Sequence, residues 1–198
     1  MKETSRNRLR KAVPILIVVV ALVPVVLALL VFRHPSWFAF GHGNHGRLVQ
    51  PAAAIEVPAL PRVFSNTPLS DGYFQGEWTM VIVGSPYCDA TCRETLYVTR
   101  QIRLGMGRDI RRVQRLYVVR GDHLEGAQRL RLAHPDLTVV TASGQAGVDF
   151  VRQFTSTSEG AAIYLVDPRG RLMMTYSSEA KPLGLIKDLR HLLKTNTP

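Results

Sequence analysis

The sequence predicts an α/β domain with a mixed central sheet, and three patterns predict it. Short apolar runs rich in β-branched residues recur at 78–83 (WTMVIV), 116–119 (LYVV) and 137–141 (LTVVT). Segments of helical character separate them. A late pair of apolar runs, 161–166 (AAIYLV) and 171–176 (RLMMTY), flanks the turn DPRG. Strand–helix repeats imply a parallel core, and the closing hairpin adds an antiparallel edge.

The chain begins with a basic tail, residues 1–11, carrying Lys2, Arg6, Arg8, Arg10 and Lys11 against one acid, Glu3. Residues 12–32 (AVPILIVVVALVPVVLALLVF) hold no charge. As a helix they would span about 31 Å, the thickness of a hydrocarbon core. A cleavable signal peptide is the alternative, but its apolar region is shorter and ends in a small-residue cleavage site. Here the run ends in Val31-Phe32-Arg33-His34. The segment reads as a single N-terminal transmembrane helix contacting membrane lipid, with Pro14 near its start and Pro24 kinking it. The excess of bases before it keeps the tail cytoplasmic and exports residues 33–198. In a bacterium this is a single-pass inner-membrane protein with a periplasmic domain, in a compartment where two cysteines can pair.

Residues 33–62 show no helical or strand period and read as an extended membrane-proximal linker. Trp37, Phe38 and Phe40 suit an interfacial aromatic anchor, and Pro51, Pro58 and Pro61 keep the rest extended. His42 and His45 form an HxxH pattern without a fixed third ligand. Residues 63–198 suffice for one domain with one core. In order, the pattern predicts a buried strand over 78–83, a helix from Cys92 to about Gly105, and a strand over 116–119. A helix over 124–133, a strand over 137–141, a short helix over 148–154, the hairpin and an amphipathic helix over 183–193 complete the domain.

The formal charge is +10, and 20 Lys+Arg stand against 14 Asp+Glu from residue 33 onward. Arg100, Arg103, Arg108, Arg111, Arg112, Arg115 and Arg120 cluster in sequence. Export argues against nucleic acid as a partner. The cluster is either a solvated helix face or a dock for an acidic partner or anionic headgroups.

The only two cysteines lie in GSPYCDATCRET, residues 84–95. Cys88 falls in the loop after the first core strand and Cys92 in the first turn of the next helix. Thr91-Cys92-Arg93-Glu94 fits a capping box that would start that helix at Thr91. A helix N-terminus and the neighbouring Arg93 both favour a thiolate. Three uses are open: a structural disulfide, a redox pair, or two metal ligands. A bridge closing so small a loop removes little chain entropy, which favours reactive or metal-binding use.

An anchor, then strand–loop–CxxxC–helix, then the late run Ile163-Tyr164-Leu165-Val166-Asp167-Pro168-Arg169-Gly170, resembles the Sco/SenC family. The stretch from Asn44 to Pro51 (NHGRLVQP) also resembles a small set of bacterial membrane proteins associated with oxidase-assembly gene clusters. The family resemblance covers about residues 60–195. It implies a thioredoxin-like fold and a membrane-anchored role in building the copper centre of cytochrome c oxidase, with oxidase subunits or assembly factors as partners. Cys88 and Cys92 carry over. The family's copper-binding histidine does not: five residues before the hairpin tyrosine stands Glu159. The family's D-P-x-x-D after the second strand is also replaced, by Arg120-Gly121-Asp122-His123.

Two thiolates alone can hold Cu(I), whereas Cu(II) wants imidazole nitrogen, which His123 could supply. Met173 and Met174 read as filler, His134 as a helix-end residue and His191 as a residue of the terminal helix, and neither histidine is given a role. Three functions follow: thiol–disulfide exchange with Cys88 as the exposed attacking sulfur and Cys92 resolving, Cu(I) carriage on the same sulfurs, or a non-catalytic scaffold with a structural disulfide.

Overall fold

The computed structural model describes residues 20–26, 29, 30, 33, 45–156 and 160–195. Met1–Gly43 and Asn44–Pro198 are separate units. Of the expected span at 12–32, residues 20–26, 29 and 30 are described; they are helical and exposed, and the remainder lies outside the described residues. Among the described residues no helix is long and apolar enough to cross a membrane. Trp37, Phe38, Phe40, His42 and Glu159 also lie outside them.

The second unit is an α/β domain with one mixed sheet flanked by helices. Its elements are β1 (Arg47–Ala54), β2 (Leu60–Arg62), β3 (Ser65–Leu69), β4 (Trp78–Gly84), α1 (Ala90–Leu104), a 3-10 turn (Gly107–Arg112), β5 (Val113–Arg120), α2 (Ala127–Ala133), β6 (Leu137–Ala142), α3 (Gly144–Thr155), β7 (Ala161–Val166), β8 (Arg171–Ser177) and α4 (Pro182–Thr195). One sheet runs in the order β1-β8-β7-β4-β5-β6-β2-β3. β4, β5 and β6 are parallel, and β7, β8 and β1 add antiparallel on one side. β2 and β3 close the other side, again antiparallel.

The central strands are apolar on both faces because helices cover both. Val81, Leu116, Val118 and Val140 pack with Phe150 and Phe154 of α3. The alternate residues Met80 and Val113 pack with Ile102 of α1 and with Leu185, Leu189 and Leu193 of α4. Ile82, Tyr117 and Val139 meet Leu96 of α1 and Leu130 of α2. A continuous apolar run is what a strand covered on both faces requires. The parallel order places the loops after β4, β5 and β6 at one end of the sheet, where ligands of open α/β sheets gather.

The segment expected to be an unstructured linker carries regular structure. Residues 47–54 and 60–62 are strands, and β1 pairs with β8 through Arg47↔Thr175 and Leu48↔Met174. β1 is mostly exposed and its register breaks between Leu48 and Ala53, so no alternation marks it. The start of this strand is pinned by Asp188 of α4. That buried carboxylate accepts the N–H groups of His45 (2.7 Å) and Gly46 (3.1 Å) and the Tyr176 hydroxyl (3.0 Å). It also lies 3.1 Å from His45 Nδ1, which gives that histidine a structural partner. Burial and the Asp188 carboxylate push the Tyr176 phenol far above its ordinary range.

The arginine cluster does not form one solvated face. Arg115 is fully buried. Its guanidinium donates to the Leu96 carbonyl and Thr99 Oγ1 of α1 and to both oxygens of Asp136. Arg103 joins the same carboxylate at 3.5 Å and donates to the Val113 carbonyl. Burial lowers the Arg115 pKa and the Asp136 charge opposes that shift. Arg108 and Arg112 line a different hollow, with Arg190 and Lys194 of α4.

Truncating Arg115 would remove the buried donor from two α1 acceptors and leave Asp136 with Arg103 alone, and breaking a buried ion pair from one side is costly. Arg115→Ala is expected to lower stability by about 3 kcal/mol. The melting temperature of the domain should fall by roughly 6–12 °C. Urea titration of the variant against wild type checks it; a loss below about 1 kcal/mol would show that the buried guanidinium is not a structural node.

Candidate thiol site

β4 ends at Gly84, and Ser85-Pro86-Tyr87-Cys88 turns the chain, with the Cys88 N–H donating to the Ser85 carbonyl at 3.4 Å. Cys88 has φ +32°, a left-handed conformation uncommon for a residue with a Cβ. The helix then begins two residues earlier than the Thr91 box predicts. The N-cap is Asp89, whose carboxylate accepts the Cys92 N–H at 2.9 Å. Both Asp89 and Thr91 can cap, and the carboxylate places Cys92 at the third helical position.

Cys88 and Cys92 form a disulfide, with Cα atoms 5.1 Å apart. Their exposures reverse the sequence expectation. Cys88 is 8% exposed and belongs to the core, packed among Leu96, Tyr117 and Val119. Cys92 is half-buried. The exposure expected of Cys88 belongs instead to Cys92. Arg93, expected to support a thiolate, instead donates to the Cys88 carbonyl at 3.0 Å and fixes the loop.

The polar group at the sulfur is Tyr117 of β5, which sequence reasoning missed. Its hydroxyl lies 3.2 Å from Cys92 Sγ and donates to the Ser85 carbonyl at 2.8 Å. The ring lies over Gly84, where a Cβ would come within 2.5 Å of the hydroxyl. Burial, with a smaller contribution from Asp89, pushes the Tyr117 phenol up to about 12. A hollow of about 400 Å³ opens along α1 toward β7 and β8, lined by Ala90, Thr91, Glu94, Thr95, Val98, Ile163 and Ser177, and neither cysteine lines it.

His123 lies in the loop after β5, at the same end of the sheet, and that loop reaches the cysteine turn through the Glu125 N–H on the Pro86 carbonyl (3.0 Å). Its side chain is exposed and its Nδ1 is 2.8 Å from Asp122, whose carboxyl the histidine holds below its ordinary range. Among the described residues no group of three His, Cys, Asp or Glu side chains converges as a metal site. His123 does not complete a ligand set with the two sulfurs. The donors in place are two sulfurs and a phenol, which suit thiolate chemistry or Cu(I) and lack the nitrogen that Cu(II) prefers. Met174 is buried in the core and Met173 packs beside it. His134 caps the end of α2 and His191 is exposed on α4.

Residues 78–196 match the family described as a transmembrane-like, thioredoxin-like, C-terminal domain, and the chain belongs to it. No curated protein matches the sequence. The fold is also that of solved Sco proteins. Apo Sco1 from Thermus thermophilus superimposes with a TM-score of 0.60 at 22% identity, over 78% of this chain and 99% of that one. Yeast Sco1 with copper bound gives 0.63 at 14% identity, over 75% and 97%. The thioredoxin domain of a thiol-disulfide oxidoreductase from Bacteroides vulgatus gives 0.52 at 16% identity, over 71% and 95%.

Asp89 supplies the carboxylate cap on which α1 starts. Asp89→Ala is expected to cost about 1 kcal/mol, and Asp89→Ser much less, because serine caps as well. The urea midpoints of the two oxidised variants check the pair; equal losses would mean that the cap does not set the start of the helix.

Proposed function

We propose that this member of the transmembrane-like, thioredoxin-like family is a thiol–disulfide exchange protein, held by residues 12–32 in a bacterial inner membrane with its domain in the periplasm. The observation that carries the reading is the Cys88–Cys92 disulfide at the first turn of α1, one sulfur in the core and the other within reach of solvent. The uncharged run at 12–32 and the basic tail before it support the anchor and its orientation.

In the reduced protein the Cys92 thiolate attacks a sulfur of a partner disulfide. A new Cys92–partner bond forms and the partner's other sulfur leaves as a thiolate, taking a proton from solvent. Cys88 then loses its proton to solvent and attacks Cys92 Sγ. The internal disulfide closes and the second partner thiolate is released. Two electrons pass from this chain to the partner, and an external thiol reductant must restore the dithiol.

The Sco-like sequence features point to a cytochrome c oxidase copper site as the target, its cysteines kept reduced for metallation. Cu(I) carriage on the same two sulfurs is the second reading, favoured by the copper-bound Sco relative of the same fold. There the metal is cargo.

The full chain in detergent gives the test. The reading expects a Cys88/Cys92 potential in the range of exchange proteins, between about −270 and −120 mV. A potential below about −300 mV marks a structural bridge and overturns it. Tight one-to-one Cu(I) binding by the reduced protein, measured by competition, transfers the site to copper carriage. Cells carrying only the C88S/C92S variant should lose oxidase assembly; full assembly would remove both readings and leave a scaffold.

A further inference from the structure

The Tyr117 hydroxyl is, we propose, the third member of the thiol site: it turns from the Ser85 carbonyl to Cys92 Sγ when that sulfur becomes a thiolate. This rests on the exchange reading only for its use, since the contact itself is a property of the folded domain.

The argument begins with β5. Tyr117 pairs in register with Ile82 of β4 and is fully buried, so its ring is fixed by the sheet. Gly84 removes the one side chain that would displace the hydroxyl. Two acceptors lie within reach of that single O–H: the Ser85 carbonyl at 2.8 Å and Cys92 Sγ at 3.2 Å. A disulfide sulfur is a weak acceptor, so the carbonyl holds the proton in the oxidised state. A thiolate carries a full charge, and hydrogen bonds to ionised groups are about twice as strong as neutral ones. Rotation about one C–O bond then redirects the donor.

The Ser85 carbonyl is not orphaned by this rotation, because it also faces the Cys88 N–H. The phenol is suited to the task. Burial pushes it up to about 12, so at physiological pH it stays neutral and keeps a proton to donate. When Cys92 is a thiol instead, its S–H can donate to the same oxygen. One hydroxyl can thus serve all three states of the sulfur, turning about its own C–O bond as the freed Sγ settles against it.

This assigns Cys92 as the nucleophile on grounds independent of exposure. Cys88, packed with Leu96 and Val119, has no corresponding contact with the hydroxyl. The Asp89 carboxylate opposes charge at this end of the helix, so a local donor is what would let Cys92 ionise before Cys88.

The experiment isolates one thiol. Cys88→Ser in the full chain leaves Cys92 alone, and thiolate absorbance at 240 nm against pH gives its ionisation midpoint. Adding Tyr117→Phe keeps the ring and deletes the donor. The midpoint is expected to rise by about one pH unit. Alkylation of Cys92 by iodoacetamide at pH 7 should slow by about fivefold to tenfold, with the difference gone above pH 10. An unchanged midpoint in a variant with an unchanged circular-dichroism spectrum overturns the proposal, because packing alone would not move it. Should Tyr117→Phe fail to fold, the Cys88→Ser protein with ¹³C-labelled tyrosine answers instead. The Tyr117 Cζ resonance must follow Cys92 ionisation below pH 9, and a resonance that ignores it overturns the proposal. Neither readout uses exchange, so an inert wild-type pair would sink the functional reading and leave this contact standing.

Discussion

A buried guanidinium holds this domain in register. Arg115 sits at zero exposure between β5 and α1, donating to a carbonyl and a hydroxyl of the helix and to Asp136 on the approach to β6. Taking such a charge out of water is expensive, and the arrangement survives because its donors meet acceptors aligned to receive them. The consequence is positional. α1 cannot slide along the sheet without breaking these bonds, and α1 carries Cys92. Two residues further along β5, on the same face, Tyr117 meets the first turn of that helix. The buried arginine and the tyrosine at the sulfur are therefore parts of one alignment: the first fixes the helix, and the second reads where its N-terminus has been placed.

The loop between β4 and α1 is the other half of that alignment. Gly84 lets the Tyr117 ring approach, Cys88 adopts a left-handed turn, and Asp89 caps the helix through the amide of Cys92. Arg93 then closes the loop on the Cys88 carbonyl. Each contact is local, yet together they decide which sulfur faces solvent. The left-handed turn at Cys88 carries its side chain inward, into the cluster with Leu96 and Val119. The accessible sulfur is left on the helix.

Much of this was legible from residues alone, and the limits have physical causes. The sequence marks strands at 78–83, 116–119 and 137–141, inside the observed 78–84, 113–120 and 137–142, because both their faces are covered, and the hairpin of 161–166 and 171–176 because its turn is DPRG. β1 and β3 escaped because edge strands face water, so nothing forces an apolar alternation; β3 reads SNTPL. Arg115 falls outside a second strand read as 116–119, and so short a strand gives Tyr117 no face to share with it. Started at Val113, a period of two would have placed Val113, Arg115, Tyr117 and Val119 on one face. That would have exposed a buried arginine beside a tyrosine close to the cysteine loop. The cap was ambiguous for another reason. DATCRE offers Asp89 and Thr91 as alternatives, and only three-dimensional packing chooses between them.

The nature of the site's oxygen bears on what the sulfurs can do. A phenol kept protonated by burial is a donor to charge, and a poor ligand for a soft metal. It stabilises a thiolate without occupying a coordination position. The nearest imidazole in sequence, His123, is turned to Asp122 in its own loop and is exposed to water. A pair so equipped gains most when charge moves between its two sulfurs and least when a cation must be held by nitrogen. Ordering of the two ionisations then becomes the main chemical variable at this end of the sheet. A difference of one unit between two such thiols makes one of them the thiolate about ten times more often. On the proposed exchange reading, such an asymmetry would give the attack its direction, with one helix and one tyrosine setting it.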